Sequence, residues 1–139
     1  MKLKLYCIDG GKHPILGKIY YRCQKILADS DDENQLERYE RYLAHTLSAY
    51  AQTIDDCNCI FKLINNVEEN IQPKASFNGN DVEISISERS VQINININED
   101  WIDQPEGQFS LSEFKTVLTA WRDFLKLPES LESEIIVEI

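Results

Sequence analysis

Cys57-Asn58-Cys59 is the nearest thing in this chain to a metal or redox motif. Zinc pairs usually leave roughly two to four residues between their thiols, and here there is one. On a helix, residues two apart point roughly 200° away from each other. Cys57 therefore reads as a small core residue on an apolar stripe, and Cys59 as incidental. The two histidines, His13 and His45, belong to no motif. His45 falls between Leu43 and Leu47, off the apolar stripe, as a surface or boundary residue rather than a general base. No Gly-rich phosphate loop, nucleophile elbow or paired-ligand zinc motif appears. The expectation is a non-enzyme with no catalytic residue, metal or cofactor.

Carboxylates are the chemistry left. Asp29, Asp31, Asp32 and Glu33 are the densest group, but they lack the spacing and central glycine of a calcium loop. Ser30 and Glu33 have capping-box spacing, and Asp31 and Asp32 suit a helix N-terminus. The segment Glu99, Asp100, Trp101, Asp103 and Glu106 mixes acids with an aromatic. Such a loop can grip Lys and Arg side chains, with Trp101 as anchor. Equally, Trp101 can fold back over the sheet or the last helix. Just before it, "VEISISERSVQININI" alternates isoleucine with serine and then asparagine. On a strand, Asn94, Asn96 and Asn98 would form one polar row opposite buried isoleucines. Asparagine is a poor strand former, so aggregation avoidance or binding would have to account for the row. The candidate partner-binding residues are Glu99, Asp100, Trp101, Asp103 and Glu106, flanked by Asn94, Asn96 and Asn98, with Asp31 and Asp32.

The elements that must hold these residues follow from periodicity. "KLKLYCI" alternates as a strand, ended by Gly10-Gly11. Leu16, Ile19, Cys23, Ile26 and Leu27 have helical spacing, which predicts a helix from Ile15 to Ala28. Leu43, Leu47, Tyr50, Ile54, Cys57, Phe61 and Ile64 form a seam of period near 3.5, extended backward by Leu36 and Tyr39. It predicts a core-facing stripe on one helix, or on two with a break near Asp55-Asp56. Asn78-Gly79 signals a type I′ hairpin. Alternating Val82, Ile84, Ile86 and then Val91, Ile93, Ile95, Ile97 continue an antiparallel meander. Ser110, with Glu113 three residues on, caps a helix whose buried face is Leu111, Phe114, Val117, Leu118, Trp121 and Leu125. Pro128 stops it, and "SEIIVEI" is a last strand. The order β-α-α-β-β-β-α-β gives an α+β fold with helices packed on one face of a meander sheet.

At 139 residues and 42% hydrophobic content, the chain suits a single domain, residues 1–139, that buries its own core. No apolar run approaches the length of a membrane span, and the start lacks the pattern of a signal peptide. Four cysteines, Cys7, Cys23, Cys57 and Cys59, then read as reduced thiols in a cytoplasmic protein. The net charge is −10. It is uneven: residues 1–25 hold six bases and one acid, while the remainder holds eight bases and 23 acids. Such a field disfavours nucleic acid and anionic membrane as partners and favours cationic surfaces.

The segment "INININEDWIDQPEGQFSLSEFKTVLTAWRDFLKLPES", Ile93 to Ser130, joins a meander strand, an acidic Trp loop, a Phe-Ser cap and an amphipathic helix. In this it resembles small bacterial immunity proteins encoded beside polymorphic or contact-dependent toxins. The resemblance implies a cytoplasmic, non-enzymatic inhibitor that binds one cognate protein toxin, often a nuclease. The charge suits a basic partner of that kind. Two other readings stand beside it. One is an acidic inhibitor that mimics nucleic acid to block a defence nuclease, against which the basic N-terminal segment counts. The other is a small-ligand-binding or enzymatic domain around His45 or a cysteine. Oligomeric state is not encoded in any motif.

Overall fold

The computed structural model describes residues 1–29 and 31–139. Two antiparallel sheets and the helices packed against them form an α+β fold. The three-stranded sheet, order β2-β1-β7, joins β1 (Lys2–His13), β2 (Gly17–Leu27) and β7 (Glu134–Glu138). The four-stranded sheet, order β3-β4-β5-β6, joins β3 (Lys74–Gly79), β4 (Val82–Ser87), β5 (Ser90–Ile95) and β6 (Gln108–Ser110). The expected single meander is thus the second of two sheets.

The segment expected to be a helix from Ile15 to Ala28 is instead strand β2, paired with β1 from Lys2↔Leu27 to His13↔Gly17. Gly10-Gly11 does not end β1; a register irregularity between Asp9 and Lys12 carries the strand past them. The turn comes at Pro14-Leu16, where His13 Nδ1 accepts from the Ile15 and Leu16 N–H groups, each at 3.1 Å. Period-two alternation is masked in β2 because its inward row includes Arg22 and Gln24. Arg22 donates to the carbonyls of Leu125 and Leu127 and pairs with Glu129 at 3.0 Å. It thereby satisfies carbonyls left open at a helix C-terminus.

The helical half is broken, not continuous. Helix α1 (Glu33–Arg38) runs into a π-helical segment, Tyr39–Ala44, and then α2 (Leu47–Tyr50). The wider winding shows in the His45 N–H bonding to Glu40 C=O at 2.9 Å. The cap seen on α1 is Asp32, whose carboxylate accepts from Gln35 N–H at 3.2 Å; Ser30, expected in this role, lies outside the described residues. The chain breaks again at Ala51–Thr53, just before the expected Asp55-Asp56. Thr53 and Asp56 then form a reciprocal capping box for α3 (Ile54–Glu68). Trp121 of α4 (Leu111–Leu125) donates its indole N–H to Ala51 C=O at 2.6 Å, satisfying the break. Ser110 caps α4 as expected, accepting from Glu113 N–H.

Leu43, Leu47, Tyr50, Cys57 and Ile64 are buried, with Tyr42 and Ile60 beside them. They pack against Ile84, Ile86, Val91 and Ile93 of one sheet, Leu3 and Leu5 of the other, and Phe114, Val117, Leu118, Trp121 and Phe124 of α4, all one core. The β3–β4 hairpin turns at Asn80-Asp81, two residues beyond the expected Asn78-Gly79. Both have positive φ, 37° and 65°, as a type I′ turn requires. Gly79 stays in the strand, where a Cβ would meet Ala49 O at 2.9 Å.

Candidate functional site

Strand β5 ends at Ile95, so the asparagine row does not exist as a strand face. Ile97, expected inside, is 71% exposed. Asn96 is exposed in the turn and donates its backbone N–H to Asp81 C=O at 2.7 Å. Asn98 caps a short 3₁₀ turn, Glu99–Trp101, by accepting from Asp100 N–H at 3.0 Å. Asn94 is 5% exposed, not solvated. Its amide donates to the Asp103 carboxylate at 3.2 Å and accepts from the Asp103 N–H at 2.9 Å. A local asparagine–backbone competition thus ends the strand and ties down the loop that follows.

Four further ties fix that loop. Gln92 donates to Gln104 C=O at 2.9 Å. Arg38 of α1 donates to the carbonyls of Glu106 and Gln108 and lies over the Phe109 ring, 4.2 Å from its centroid. Gly107 is buried so closely that a Cβ would lie 2.4 Å from Ile93 O. Arg41, from the π-helical segment, stacks on Trp101 at 4.8 Å and pairs with Glu37.

Trp101 and Arg41, with Glu37, form a wall between two clefts. One, of about 460 Å³, has an apolar floor of Val82, Ile95 and Ala49, with Glu37, Glu40 and His45 at its rim. The other, of about 570 Å³, sets Glu37, Asp100 and Glu106 around Tyr42, with Arg38 and Arg41 also in its walls. Trp101 is half-buried, packed against the core edge yet open to both clefts. The structure therefore brings Asp100, Trp101 and Glu106 together; Glu99 opens the same 3₁₀ turn but lines neither cleft. Asp103 is exposed, but its carboxylate is engaged by Asn94. Asp32 is committed to capping α1, and Asp31 is exposed ahead of it.

Glu37, Glu40, Arg38 and Arg41 are the site residues missed by periodicity. They lie around a π-helical turn, which shifts side chains off the heptad that the apolar stripe suggests. Both arginines are engaged inside the fold. Among the described residues, Glu40, Glu99, Asp100 and Glu106 make no ion pair. The site thus presents Glu40, Asp100 and Glu106 outside any ion pair among the described residues, around a fixed indole, with Arg38 and Arg41 held in the cleft walls by their own contacts. An apolar floor with an acidic rim can receive the stem and head of a long cationic side chain.

Elsewhere the chemistry is quiet. Cys57 is fully buried, and burial pushes its thiol from 9.0 to about 11. Cys59 is exposed. No group of three or more His, Cys, Asp or Glu among the described residues could hold a metal ion. No helix among them is long and apolar enough to cross a membrane. No protein-family model, curated protein or solved structure matches the chain.

Proposed function

We propose that this chain is a non-enzymatic, acidic protein-binding inhibitor. It would act as an immunity protein, neutralising a basic toxin, of nuclease type, by seating cationic side chains in the clefts beside Trp101. The carrying observation is the set Glu40, Asp100 and Glu106, outside any ion pair among the described residues and lining the clefts beside half-buried Trp101, while Arg38 and Arg41 in the cleft walls are tied to backbone carbonyls, to Glu37 and to the indole. Ordering this loop in the free protein removes an entropic cost from binding. A tryptophan anchor also matches the residue types that carry most of the binding energy at protein interfaces. In this reading the acidity steers the partner and the indole holds it.

The test is growth rescue. The gene adjacent to this one in the source genome is expressed in a sensitive host, with and without this chain. Rescue by direct binding is expected, with Trp101→Ala or the double change Asp100→Lys, Glu106→Lys weakening the complex by ~100-fold. A neighbour without toxicity, or a complex indifferent to both changes, would overturn the reading. Asp103→Lys is a poor probe, because it breaks the Asn94 contact that holds the loop.

A further inference from the structure

A groove of about 800 Å³, larger than either cleft beside Trp101, lies between β7 and α4. Ser112, Thr116 and Thr119 of α4 and the β4–β5 turn at Glu88-Arg89 line it opposite Ile135–Val137. Among the described residues β7 has one strand neighbour, β1. Ile139 N–H bonds to Met1 C=O at 3.0 Å. With the register Leu3↔Val137 and Leu5↔Ile135, alternation directs the backbone groups of Ile135, Val137 and Ile139 to β1. The N–H and C=O groups of Glu134, Ile136 and Glu138 therefore point to the open side. Their side chains share the outer sheet face as acid, apolar, acid, and Ile136 is 52% exposed.

We propose that this edge accepts an extended segment of a partner protein as a fourth strand, and that the segment reads basic–x–apolar–x–basic. Strand addition satisfies the open backbone groups, and the alternating side chains select the partner. Directly opposed residues sit about 5 Å apart across a ladder. Basic residues would thus meet Glu138 and Glu134, with an apolar residue over Ile136. Glu138 makes no ion pair among the described residues although Lys2 stands opposite it in register, and Glu134 meets Lys4 at 3.2 Å, so a partner's basic residues would reach both acids from the side away from β1. A second copy of β7 fits less well, because antiparallel pairing centred on Ile136 sets Glu134 against Glu138. The inward side chains of the added strand would lie over the small hydroxyl residues Ser112, Thr116 and Thr119. No residue lines both this groove and the Trp101 clefts, so the inference stands apart from the proposed function.

The test is titration of the full chain with a synthetic peptide ordered lysine–threonine–valine–threonine–lysine, beside a scrambled peptide of the same composition. Amide exchange at Glu134, Ile136 and Glu138 should slow by ~10-fold or more with the ordered peptide alone. Ile136→Pro removes an outward N–H at an edge position where proline is tolerated, and it should abolish binding. Asp100→Lys should leave binding intact. Overturning results are no binding, equal binding of the scrambled peptide, full binding by Ile136→Pro, or a concentration-dependent dimer that closes the edge. Should Ile136→Pro fail to fold, exchange at the three amides of the unaltered chain decides alone.

Discussion

Asn94 shows how one side chain converts a strand into a site. Its amide meets both the N–H and the carboxylate of Asp103, and Asp103 holds a positive φ of 54°. Asn94→Ala removes both bonds and leaves a cavity at a buried position. A loss of about 1–3 kcal/mol in urea unfolding is expected, with faster amide exchange through residues 99–104. Unchanged exchange there would show that the Arg38 contacts suffice. Cys57 makes a separate prediction. Its folded-state thiol titrates near 11 against 9.0 without burial, so the unfolded chain gives up that proton first. Stability should therefore fall as pH rises from about 9 to about 11, by about 2 kcal/mol. Burial also raises Tyr50, which adds in the same direction. Cys57→Ala should flatten part of that decline in urea midpoints measured across the range.

At the scale of elements, the hairpin β3–β4 is held against α2 by the absence of a side chain. A Cβ on Gly79 would lie 2.9 Å from Ala49 O and 3.1 Å from Tyr50 Cα, both backbone atoms with little freedom to move. Gly79→Ala should destabilise by about 1–3 kcal/mol, measured as a lower unfolding midpoint with the transition slope unchanged. The same glycine sets the turn two residues beyond Asn78-Gly79: that pair has turn chemistry, yet packing requires Gly79 in the strand. The α+β class, the meander, α4 with its Ser110 cap and strand β7 were legible because their apolar residues follow period two or 3.6 cleanly. Strand β2 was not, because Arg22 and Gln24 occupy its inward row and its apolar residues happen to fall at helical intervals. At the site, the acidic Trp loop was legible from composition. The asparagine row departs from its periodicity because local alternation does not show where a ladder stops, here at Ile95. Glu37 and Glu40 were illegible because their placement depends on a π-helical turn that no propensity announces.

On the scale of the whole molecule, charge is segregated. Residues 1–25, with six bases and one acid, form the β1–β2 hairpin, and the remaining chain holds 23 of the 24 acids. Lys2, Lys4 and Lys25 share the outer face of the three-stranded sheet, in register across it. An inhibitor that imitates nucleic acid with a uniformly acidic surface fits this distribution poorly. A protein that presents its acidic side to a basic partner fits it better. Association with such a partner should slow by ~10-fold or more between about 0.05 and 0.5 M salt. Stopped-flow mixing would measure that slope, and Asp100→Lys with Glu106→Lys should flatten it. The π-helical segment also has a consequence for sequence change. It holds one residue more than a regular winding would. A single-residue deletion within Tyr39–Ala44 would let the helix close into ordinary turns, and the core stripe from Leu47 onward could stay seated. Helix α1 before it would keep its facing, because the wide turn already absorbs the surplus residue, and Arg38 and Glu37 would stay beside the loop they hold. What would change is the aim of Glu40 and Arg41 within the segment itself, so the loss of one codon there would reshape the clefts while sparing both the fold and the frame around them.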